Sequence, residues 1–140
     1  MDALQRQRAV VAARGGRAAD ARRFIVEAEA QAKQIDEALS TFASATGTAV
    51  SLNPRRELML PESEVAFWLG DTGGAIRLLA GEELMSPRHN LLLGQAYERE
   101  HHFAKARAAY TRVIELTSVV SIELAWARPI AQERLAAIGQ

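Results

Sequence analysis

The chain has 140 residues, of which 49% are apolar and 24% charged, with equal numbers of basic and acidic side chains and no cysteine. That length suits one ordinary core, the zero net charge leaves no global field to draw in nucleic acid or an anionic membrane, and the lack of cysteine removes disulfides and thiolate metal sites.

Frequent alanine, few aromatics and almost no β-branched runs favour helix throughout. The start, MDALQRQRAVVAARGG, lacks the apolar region of a signal peptide, and no run nears the ~18 apolar residues of a membrane span. A cytoplasmic protein is expected. Charge is unevenly placed: Arg6, Arg8, Arg14, Arg17, Arg22 and Arg23 crowd the start, while Glu57, Glu62, Glu64, Asp71, Glu82 and Glu83 crowd the middle. The two sets could attract each other, attract a second copy, or be two solvated helix faces.

Residues 3–14 read as a first helix, ended by Gly15-Gly16, whose freedom at positive φ suits a tight reversal. From Ala21 the series Ala21, Ile25, Ala28, Ala32, Ile35, Leu39, Phe42 alternates steps of four and three, one apolar seam on a long helix over about residues 17–46. Asp36 could break it by capping a second helix near 34–36, and the seven-residue period also permits pairing with another chain. Burial is expected along the whole seam. Residues 47–60, with Gly47 and Asn53-Pro54, read as an irregular connection holding at most a helical turn at 55–60.

Pro61-Glu62-Ser63-Glu64 then reads as a helix start, with proline in the first turn and acids at the positive end of the dipole. That helix ends at Gly70-Asp71, and a second covers about 72–83. Ser86-Pro87 caps and begins the next, which runs to His101-His102. Another spans 104–116, and Ser121 caps a last one ending at Ile138.

The histidine pair raises the question of a metal. A metal would want ligands at i, i+4 on one helix face with a third elsewhere. Adjacent helical positions point about 100° apart, and His89 lies about three turns upstream. The pair reads instead as a turn between two helices, and no metal or cofactor is expected.

Leu93-Gly94-x-x-Tyr97 followed by Ala106-x-x-x-Tyr110 resembles the tetratricopeptide repeat, although Asn90 and Ser118 stand where that family favours tryptophan and proline. In such a hairpin Gly94 and Ala106 are the small residues at the helix contact, Tyr97 and Tyr110 fill the gaps beside it, and Phe103 anchors the second helix. Val65-Ala66-Phe67-Trp68-Leu69-Gly70-Asp71 with Ala75-x-x-x-Leu79 is similar to the same unit, and Ala75 and Ala106 stand 31 residues apart, near the usual period of about 34. A weaker copy covers Ala13 to Ala28.

The resemblance implies an all-α fold of antiparallel helical-hairpin repeats, a TPR-like α-solenoid, with a C-terminal closing helix. Its parts would be a degenerate hairpin at 1–46, the connection at 47–60, repeats at 61–84 and 86–117, and the closing helix at 119–138, all in one domain. A concave groove for a partner peptide or helix would be lined by Leu60, Glu64, Phe67 and Trp68 and by Arg88, Leu91, Gln95 and Glu98. That mixture of apolar and acidic residues suits a segment carrying apolar and basic ones. The family's grip on a peptide C-terminal carboxylate uses lysines and asparagines, where this chain has Leu91 and Gln95.

The last helix has two apolar stripes. Leu124, Ala127, Ala131, Leu135 and Ile138 should pack on the 86–116 hairpin. Ile122, Trp126 and Ile130 form the second, either buried over a wide arc with Trp126 against the Tyr110 helix, or an exposed patch for a partner or a second copy.

No phosphate loop is present, since Gly73-Gly74 follows no strand and precedes no lysine. There is no Ser/His/Asp set in a plausible context, Glu82-Glu83 sits at a helix end, and the arginines lack interleaved aromatics. An enzyme is therefore not expected. A protein-interaction or scaffold module is the first reading, and the alternatives are a self-associating structural protein or a regulatory fragment of a larger bacterial-type protein.

Overall fold

Alanine-rich, helix-spaced sequence produces helix wherever the chain is described. The computed structural model describes residues 3–48, 53–80, 86–116 and 122–139, and among them are seven α-helices and no strand. These fall into two compact units, Met1–Gly70 and Asp71–Gln140. The boundary lies between the two helices that the sequence groups into one hairpin at 61–84.

The first unit holds α1 (Ala3–Arg14), α2 (Ala18–Thr46) and α3 (Pro54–Trp68), each packed on the other two. Gly15-Gly16 ends α1 as expected: Gly16 takes φ 71°, its N–H donates to the Ala13 carbonyl and that of Arg17 to Ala12. This double bond pattern closes the carbonyls that a helix end leaves open.

Helix α2 runs through 34–36 without a break. At about 1.5 Å per residue its 29 residues span roughly 43 Å, against about 18 Å for α1 and 22 Å for α3. Its partners are too short to cover it. Ala21 packs with Ala9, Val10, Ala12, Ala13 and Val65, and Ala28 and Ala32 pack with Leu58. Beyond them Ile35 and Leu39 are only half-buried and Phe42 is 54% exposed, so the expected burial of the whole seam stops near Ala32. Over this outer part Thr41, Ser44 and Thr46 donate their hydroxyls to carbonyls four residues back, and Gly47 closes the helix at φ 68°.

Helix α3 begins at Pro54 rather than Pro61. Residues 54–60, read from the sequence as part of a connection, are helical. Pro61 lies inside the helix and has no N–H for the Glu57 carbonyl one turn back. Arg6 of α1 supplies the missing donor: its Nη1 lies 3.4 Å from the Glu57 carbonyl oxygen and 3.1 Å from the Glu57 carboxylate.

The second unit holds α4 (Thr72–Leu79), α5 (Pro87–Arg99), α6 (Phe103–Glu115) and α7 (Ile122–Ile138). The end of the helix expected to reach residue 83, and the Ser121 cap, lie outside the described residues. Asp71 caps α4 by accepting from the Gly74 N–H at 2.7 Å. Pro87 starts α5 and Ser86 stands at its N-cap, but the Ser86 hydroxyl donates to Glu123 instead of the helix. Helix α5 is central, packed on α4, α6 and α7. Leu91 joins Ala106, Tyr110 and Val113 of α6 and Ala127 and Ala131 of α7 in one core. Thr72 at the start of α4 donates to Glu100 at the end of α5.

Helices α5 and α6 meet where Gly94 faces Tyr110. An added Cβ on Gly94 would stand 2.6 Å from Tyr110 Cδ1, and Tyr110 itself is wholly buried. Ala106 is equally buried, as its small side chain suggests. Phe103, expected to anchor α6, is 47% exposed and sits edge-on to the His101 ring. It lies on the first turn of α6, where the solvent side of the turn is its neighbour.

Candidate functional site

The histidines form the turn between α5 and α6. His101 takes φ 58°, donating its N–H to the Glu98 carbonyl, while the His102 N–H reaches back to Tyr97. This is the same helix closure that Gly16 makes, with a histidine in the place glycine prefers. The His102 ring lies edge-on to Tyr97, with centroids 6.2 Å apart. Both histidines are exposed. Among the described residues no group of three or more histidines, aspartates and glutamates could hold a metal ion. No helix among them is long and apolar enough to cross a membrane.

The eight groove candidates divide evenly between the units. In the first, Glu64 and Phe67 are buried, Leu60 is half-buried and Trp68 is exposed. Glu64 and Trp68 stand one turn apart on α3 and share Arg14 of α1. The Arg14 guanidinium lies 3.8 Å from the Glu64 carboxylate and 5.1 Å above the Trp68 ring. Such stacking on an aromatic face keeps the charge while the carboxylate neutralises it. With Arg6–Glu57, this pair also settles the charge asymmetry: part of the basic start and acidic middle meet inside one chain.

In the second unit Leu91 is a core residue, so it fills the α5–α6–α7 contact. Glu98 is half-buried and already engaged. The Tyr110 hydroxyl donates to one of its carboxylate oxygens at 2.7 Å, and Arg134 of α7 approaches the other at 3.4 Å. Burial above all, and then the Glu98 carboxylate beside it, hold the Tyr110 hydroxyl protonated well above the ordinary phenol range. Arg88 and Gln95 are half-buried and seven residues apart, two turns along one side of α5.

On α7 the stripe Leu124, Ala127, Ala131 is buried, with Leu135 and Ile138 packed at its edge. Of the second stripe Ile130 is half-buried, Ile122 is 87% exposed and Trp126 is 41% exposed.

Sequence reasoning missed the Glu98–Tyr110–Arg134 chain and the Arg14 stack. The second had a faint signal, an acid and a tryptophan at i, i+4 with arginines a helix away. The first had none, because the positions come from three helices whose register only the packing sets. Compared with protein-family models, with curated proteins and with solved structures, the chain shows no significant match to any.

Proposed function

We propose that the chain is a non-catalytic protein-interaction module, with the α5–α6 hairpin built in the manner of a tetratricopeptide repeat and α5 offering its outer side to a partner peptide or helix. The observation that carries this reading is the seating of Tyr110 on Gly94. A bare glycine under a buried aromatic lets two antiparallel helices approach closely, and the same Leu93-Gly94-x-x-Tyr97 and Ala106-x-x-x-Tyr110 spacing is what resembles that family. Polar positions beside a rigid helix pair suit recognition rather than bond-making chemistry.

The partner's chemistry follows from which side chains of α5 reach the surface. Leu91 is in the core and Glu98 is committed to Tyr110 and Arg134. The acidic, apolar groove expected from sequence therefore reduces on this unit to the half-buried Arg88 and Gln95, which suits a polar segment held by hydrogen bonds.

A photo-crosslinking residue at Gln95, compared with one at Lys105 on the exposed side of α6, tests this. Capture of one discrete protein at 95 and none at 105, lost on Arg88→Glu, supports the reading. Equal capture at both positions, or none at 95, overturns it.

A further inference from the structure

Helix α7 shows a second surface, unrelated to the side of α5 used above. Burial of Leu124, Ala127 and Ala131 fixes the rotation of the helix, so its opposite side cannot turn inward. That side carries Ile122 and Trp126, with Ala125 and Pro129 also exposed. Two charged side chains lie in the same stretch, and both are used within the unit. Glu123 accepts the Ser86 hydroxyl at 3.0 Å, and Arg128 donates to the Leu116 carbonyl at 3.1 Å. Two turns of surface helix thus present apolar groups to water, with their local charges directed elsewhere.

We propose that this side of α7 is a self-association surface on which two copies of the chain pair antiparallel about a twofold axis at Trp126. The spacing selects the occupant. Ile122 and Ile130 stand four residues on either side of Trp126, so the pattern maps onto itself when the helix is reversed. Trp126 then meets its own counterpart, and Ile122 covers the partner subunit's Ile130, the self-complementarity that a twofold interface requires. A charged partner would lose hydration here without finding an opposite charge. An uncharged copy of the same side loses nothing. Two helical turns bury less than the roughly 1,200 Å² typical of stable complexes, so the pair is weak and concentration-dependent.

Sedimentation of the full chain from roughly 10 μM to 1 mM spans the range in which such a pair forms. The average mass should climb from 15.3 kDa toward twice that value. In a Trp68→Phe background the emission of Trp126 should shift blue over the same range. Ile122→Glu should weaken association at least about tenfold with unchanged melting, because Ile122 touches little of its own unit. Trp126→Arg should do the same, and if that variant folds poorly Ile122→Glu decides alone. A monomer at every concentration, or a dimer indifferent to Ile122→Glu, overturns the proposal. Neither result bears on capture at Gln95.

Discussion

Gly94 and Tyr110 stand in direct contact, backbone against ring, with no room between them for a methyl group: a Cβ would overlap Cε1 and fall 2.6 Å from Cδ1. Gly94→Ala should therefore destabilise the second unit. Overpacking costs about 1–3 kcal/mol, and the gain in helix propensity offsets only about 1 of it. Gly73→Ala is the control. Its Cβ would meet nothing closer than the end of Arg77, at 3.6 Å, so it should gain roughly 0.5–1 kcal/mol. Urea unfolding of both variants checks the opposite signs.

The buried Tyr110 hydroxyl makes a pH prediction. Its folded pKa is raised above the unfolded value of 10.0, so its stabilising contribution is complete below pH 10 and falls as pH rises above it. Over that range the unfolded state releases a proton that the folded state keeps, and stability drops by about 1.4 kcal/mol per pH unit. Tyr110→Phe removes this slope while costing about 1–2 kcal/mol at neutral pH through the lost bond to Glu98. Unfolding at pH 8 and pH 11 should show the gap between parent and variant narrowing.

Arg6 should be coupled to Pro61. Arg6→Ala should cost about 1 kcal/mol, little of it from the ion pair, since Glu57 is half exposed. In Pro61→Ala the restored N–H satisfies the Glu57 carbonyl, and the same arginine change should then cost less. A double-mutant cycle showing no coupling would mean that the proline's lost bond is not what Arg6 replaces.

The outer and inner parts of α2 should respond differently. Ala28→Asp places an unpaired charge against Leu58 and should cost about 3–5 kcal/mol. Phe42→Ser, on the uncovered turns, should cost under about 1 kcal/mol. Thermal melts of the two variants distinguish a seam that ends near Ala32 from one buried to its end.

These contrasts show where sequence was legible. The ends of α1 and α2 were plain because Gly15-Gly16 and Gly47 are the residues a left-handed closure wants, and the turn at the histidines was plain from the apolar spacing on either side. The start of α3 was not. Pro54 and Pro61 are equally good first residues, and only Arg6, 51 positions before Glu57, makes the second tolerable inside a helix. The reach of the α2 seam was also hidden, since coverage depends on the lengths of α1 and α3 rather than on the seam. For the candidate site, the helices bearing Arg88, Gln95 and Trp126 were readable, but the removal of Leu91 and Glu98 from any open groove was not. Both losses come from α6 and α7, which meet α5 only through packing.

Recognition of a partner through α5 is tested most directly by calorimetry on the segment recovered by crosslinking at Gln95, titrated into the parent and into Arg88→Glu with Gln95→Lys. The α5 variant should lose at least a factor of about ten in affinity, or about 1.4 kcal/mol, with unchanged melting, and Ile122→Glu should lose none. Unchanged affinity in the α5 variant would contradict the proposed interaction surface.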